Sequence, residues 1–104
     1  MWLVKWIINT MQNNIREARR YAGKAAEWKG KNATMSDWAK DMAQKHLSFN
    51  DPGMTALREA MEEYKHEPGN AELYPGVHAM CEEIKRDMLH DTAEIKAMLE
   101  MLGR

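Results

Sequence analysis

Apolar positions recur along this chain in steps of three and four. Val4, Ile8, Met11, Ile15, Ala18, Ala22 and Ala25 fall on one face of a helix. The pattern carries that helix from residue 2 to residue 29, where Gly30 and Asn32 supply the left-handed stop chemistry expected at a C-terminus. Thr34, with Asp37 three residues on, predicts the start of a second helix, the acid complementing the helix dipole. Its inward face is expected to read Met35, Trp38, Met42 and Phe49, then Met54, Leu57, Met61 and Tyr64. Pro52 lacks a backbone N–H and disfavours helical conformation before it, so a kink or break is expected near Asp51-Pro52, with Asp51 able to cap a fresh start. His66-Glu67-Pro68-Gly69-Asn70 and Tyr74-Pro75-Gly76 are turn signals that delay the last helix to about residue 75. From there Val77, Cys81, Ile84, Met88, Ile95, Met98 and Leu102 form a stripe to about residue 102. The expected fold is an all-α, antiparallel bundle of three long helices, each roughly 40 to 48 Å, completed by dimerisation.

Composition agrees with helices throughout. Ten Met, few Pro and Gly, and 30% charged residues within 104 positions suit helix formers and leave no regular turn spacing for an all-β domain. The length fits one domain spanning 1–104. Net charge is −1, which gives the molecule as a whole no electrostatic reason to seek nucleic acid. The charge is uneven: residues 1–30 hold six Lys or Arg against two acids, and residues 68–104 four against seven. A single cysteine, Cys81, excludes an internal disulfide and points to a reducing, cytoplasmic setting. The apolar start Met1–Ile8 is short, carries Lys5, and is followed by Asn9, Thr10 and Gln12, unlike a signal peptide or a membrane span.

Two ionisable residues fall on the expected inward stripes. Asp91 lies between Met88 and Ile95, and Lys45 between Met42 and Phe49, at similar heights if the helices are antiparallel. They form a candidate ion pair in a polar layer that fixes register. The alternative is a Lys stem lying along apolar surface with its charge in water. His46 and His90 flank the same level, and Glu94 follows His90 by one helical turn. His46, His90, Asp91 and Glu94 are therefore the candidate ligands for a divalent metal. His78 with Glu82 repeats the four-residue spacing, and Arg16, Arg20 and Lys24 make a basic line suited to phosphate or to an acidic helix. Nucleophile-elbow, P-loop, dinucleotide and HExxH motifs are absent from the sequence, so an ordinary enzyme has no residues to stand on and no catalytic residue is assigned. Trp2, Trp6, Trp28, Trp38 and the Met side chains exceed what three helices can cover. Trp2, Trp6 and Trp28 are the expected interaction surface, burying against a second copy.

Ile15-Arg16-Glu17-Ala18-Arg19-Arg20-Tyr21 with Ala25 and Lys29, and Ala93-Glu94-Ile95-Lys96-Ala97-Met98, resemble the opening and closing segments of a family of small ferritin-like helical proteins of bacteria and their phages. The resemblance covers residues 15–102 and implies a helical bundle. Its implied metal signature is similar to Leu-Ala-x-Glu-Glu-x-x-His, but here the stretch is Met42-Ala43-Gln44-Lys45-His46-Leu47-Ser48-Phe49. Lys45, His46 and Phe49 stand where two acids and a histidine belong, and a cation and an aromatic ring do not supply the anionic field that iron or manganese prefers. The residues allow three readings. The first is a non-catalytic module acting by self-association or with another protein, without cofactor. The second is a ferritin-like iron or manganese binder. The third is a peripheral membrane protein using Trp2, Leu3, Trp6 and Ile7.

Overall fold

The computed structural model describes residues 1–103 and is helical with no strand among them. Its helices are α1 (Trp2–Trp28), α2 (Ala33–Leu47), α3 (Asn50–His66) and α4 (Tyr74–Leu102). α2 and α3 are the two halves of the interrupted second helix. The bundle is a rod of 57 × 17 × 15 Å with a radius of gyration of 16.8 Å, against about 13 Å for a compact domain of this length. α1 is its spine, packing against each of the other three helices. None of the helices is long and apolar enough to cross a membrane.

The apolar stripe of α1 is buried as expected from Val4 to Ala25. Gly30, at φ 83°, makes the turn that comes after it. The start of α2 differs from expectation: Asn32, not Thr34, is the N-cap, its side-chain oxygen accepting from the Met35 N–H at 3.0 Å. Asn in extended conformation at this position is worth about 1 kcal/mol over Ala.

The interruption of the second helix falls at Ser48-Phe49, a turn upstream of Pro52. The reason is steric. A proline ring clashes with the carbonyl four residues before it and cannot donate to it, and that carbonyl belongs to Ser48. The helix resumes when the Gly53 N–H donates to the Phe49 carbonyl at 2.9 Å.

The inward face of α2 is also corrected. Ala39, Ala43 and Leu47 are buried, whereas Met35, Trp38 and Phe49 are exposed by 36%, 46% and 54%. The cause lies on α1, whose facing surface at this level is Ala18, Ala22 and Ala25, each fully buried. Ser36 Oγ donates to the Ala25 carbonyl at 2.7 Å, an approach of side chain to backbone that requires the two helices to lie close. Only alanines fit between them, and the bulky residues turn outward. Beyond the break the expected face holds, with Leu57, Met61 and Tyr64 buried. On α4, Cys81, Met88 and Ile95 are buried with Thr92 and Leu99. The Cys81 thiol rests on the Met61 sulfur at 3.7 Å, and burial pushes its pKa up.

Candidate functional site

The expected layer of Lys45 with Asp91 does not form. Lys45 is exposed, and Asp91 sits 3.7 Å from the Arg19 guanidinium of α1, both side chains being more than two-fifths exposed. The buried polar pair is a different one, past the interruption on the second helix and one position along on α4: Asn50 Nδ2 donates to Thr92 Oγ1 at 2.8 Å, and both residues are buried. Asn50 lies in the first turn of α3, immediately after the interruption, and Thr92 lies on the α4 stripe between Met88 and Ile95. The signal was present in the sequence. Ala39, Ala43, Leu47, Asn50, Met54, Leu57, Met61 and Tyr64 advance by fours and threes straight through the break, the period of a core seam.

Around this pair the α2–α3 helix and α4 part, leaving a groove of about 460 Å³ whose apolar lining is Leu47, Met54, Leu89 and Leu99. That volume lies within the range of small-molecule sites. Asn50 and Thr92 both line it. Asn50 Oδ1, buried and without a hydrogen-bond partner, is the single such side-chain atom among the described residues. An unpaired buried amide oxygen costs about 1–3 kcal/mol, a cost that is removed if the amide turns over and the Thr92 hydroxyl donates to it.

Of the four candidate metal ligands, His46 is engaged by other partners and the three on α4 lie together at the surface. The His46 ring stacks on Tyr21 with centroids 5.6 Å apart and planes 11° from parallel. Its Nδ1 lies 2.8 Å from Asn14 Oδ1, and because that oxygen only accepts, the imidazole proton sits on Nδ1. His90 projects from α4 with its side chain 78% exposed, 3.7 Å from Glu94. Asp91 and Glu94 both face Arg19. Among the described residues no three His, Cys, Asp or Glu side chains converge on one point. The basic line is likewise engaged within α1, Arg20 by Glu17 at 2.7 Å and Lys24 by Glu27 at 3.3 Å.

Arg19 donates to Glu94 at 2.8 Å, and that hydrogen bond, with the guanidinium charge, holds the Glu94 carboxyl below its ordinary range. A depressed folded-state pKa stabilises the fold above the unfolded value and loses that effect as pH falls through the folded one. Arg19→Gln should therefore raise the Glu94 midpoint toward the ordinary glutamate range in an NMR pH titration. An unmoved midpoint would show that the pair does not form in solution.

Of the expected interaction surface, Trp2 and Trp6 stand out at 75% and 59% exposure, while Trp28 is half-buried. Ile7, grouped with them for membrane contact, belongs instead to the core, and Leu3 is half-buried against it. A larger exposed set lies on the outer side of α2. Met35, Trp38 and Phe49 are exposed there with the half-buried Met42 between them, bordered by Tyr21, whose ring meets Trp38 edge-on at 5.6 Å and carries Arg20 at 4.5 Å over its face. No family model, curated protein or solved structure matches this chain.

Proposed function

We propose that this protein acts by association rather than catalysis, and that a second copy covers the α2 stripe. The observation that carries the reading is the exposure of Trp38 and Phe49 together with Met35, at the spacing of a core face. Apolar residues in an exposed row of this kind mark contact surfaces, and aromatic and Met side chains are enriched in them. The stripe is also self-complementary. A two-fold axis through Met42 sets the α2 helices of two copies antiparallel, with Met35 of one copy at the level of Phe49 of the other, a sulfur–aromatic pairing.

Within each copy, the reading takes α1 as antiparallel to the α2–α3 helix and that helix as antiparallel to α4. Partner numbers support this: Asn14 meets His46 while Ala25 meets Ser36, and Asn50 meets Thr92 while Met61 meets Cys81. The free, buried Cys81 suits a reducing compartment such as the cytoplasm.

Sedimentation velocity tests the reading. The natural chain should sediment as a dimer at micromolar concentration, and Trp38→Glu with Phe49→Glu should convert it to a monomer of unchanged helicity. A monomeric natural chain at the highest soluble concentration sinks the proposal.

A further inference from the structure

Covering the α2 stripe with a second copy also removes a polar atom from water. Trp38 is 46% exposed in the single chain, and its indole N–H can only donate. Such a group needs an acceptor once it is buried.

An unengaged acceptor stands beside the stripe, on His46. The Asn14 amide is oriented by its own donation to the Thr10 carbonyl at 3.0 Å, so the Asn14 atom 2.8 Å from His46 Nδ1 is the oxygen. The imidazole proton therefore sits on Nδ1 and the lone pair on Nε2. Nε2 takes no partner within the chain and reaches the surface, since the single fully buried side-chain polar atom without a partner among the described residues is Asn50 Oδ1. Trp38 and His46 also lean to the same side of α2. Both rings meet Tyr21 of α1, Trp38 edge-on and His46 stacked, with centroids 5.6 Å away in each case.

The two residues lie at equal distances in sequence on either side of Met42. The two-fold axis that sets Met35 of one copy at the level of Phe49 of the other therefore sets Trp38 at the level of His46, and it keeps the Tyr21 sides of the two copies together. We infer that the Trp38 indole N–H of each copy donates to His46 Nε2 of the other, giving the dimer two symmetric hydrogen bonds that hold only while His46 is neutral. This rests on the association reading above and adds its register and its control. Protonation of Nε2 turns the acceptor into a donor, so association weakens as pH falls through the range in which histidine titrates. The titratable and charged groups around His46 are Tyr21, Glu17 and Arg20 of α1 and Lys45 beside it on α2. Glu17 and Arg20 are joined to each other at 2.7 Å, and none of the four is bonded to Nε2.

Sedimentation velocity of the full chain at about pH 7.5 and about pH 5.5 tests this. The natural chain should dissociate about tenfold or more readily at the lower pH. His46→Gln, whose amide can donate to Asn14 and accept from the indole, should dimerise equally at both. Trp38→Phe, which keeps an aromatic ring but drops the N–H, should associate more weakly at the higher pH and respond little to the change. In 1H–15N spectra the Trp38 indole signal of the natural chain should move on dilution at the higher pH, a readout that needs no variant. Circular dichroism at both pH values shows which variants are folded. A natural chain that is monomeric at both pH values removes the association reading and this inference together. A dimer whose affinity ignores pH or tightens in acid, or whose pH response survives in His46→Gln or Trp38→Phe, overturns the inference alone and leaves association through the stripe standing.

Discussion

Met11→Ala should lower stability by about 2–5 kcal/mol, the usual cost of truncating a large buried side chain, and in that background Gly53→Ala should change from harmful to helpful. Met11 is 2% exposed and lies across the start of α3. A Cβ built on Gly53 would come within 2.7 Å of Met11 Cγ and 2.9 Å of its sulfur, closer than packed atoms tolerate. In the natural chain, Gly53→Ala sets that overlap, worth about 1–3 kcal/mol, against a gain of about 1 kcal/mol in helix propensity. The net effect is destabilising. With Met11 cut back to alanine the overlap is gone and the propensity gain remains. Denaturant unfolding of the two single variants and the double variant should therefore show a coupling of about 2 kcal/mol between the sites. Strict additivity would show that α1 and α3 do not meet at this point.

Ala22→Leu should be comparably damaging, costing about 3 kcal/mol, while Ala26→Leu should stay within about 0.5 kcal/mol. Ala22 is fully buried, and the register fixed by Asn14 with His46 and Ala25 with Ser36 puts it at the level of Ala39. The extra carbons have no space unless the helices separate, and separation breaks the Ser36 to Ala25 hydrogen bond. Ala26, exposed on the same helix, controls for intrinsic propensity, since leucine and alanine are both good helix formers. Thermal unfolding of both variants decides the matter. Equal effects would mean that the alanine contact is not a tight one.

The number and extent of the helices were legible in the sequence because periodic burial and turn chemistry are local. α1 ends at Trp28 and α4 begins at Tyr74, each within a residue of the expectation. What local pattern does not contain is the shape of the facing helix. Met35, Trp38 and Phe49 have the spacing of a buried stripe and the bulk of core residues, yet they are exposed where α1 faces α2 with alanines. The expected polar layer missed for a related reason: on α4 the buried residue is Thr92, one position from Asp91, and on the second helix it is Asn50, beyond the interruption, rather than Lys45. The groove was less legible still, since it arises from two helices diverging, and no residue type announces that. Asn50 offered a clue as a polar residue standing seven positions before Leu57 on an apolar seam.

The alanine contact between α1 and α2 also sets how firmly each part of the rod is held. Side chains from Val4 to Ile15 bury several methyl or methylene groups apiece, at about 0.8 kcal/mol for each buried CH₂; Ala18, Ala22 and Ala25 bury one carbon each. The turn at Gly30 and the helix ends beside it are thus tied down by close approach and hydrogen bonds more than by apolar area. Local opening is easiest where buried apolar contacts are fewest. The rod consequently carries a gradient of cohesion along its length, with breathing concentrated at the end that holds Trp28, Gly30 and Asn32.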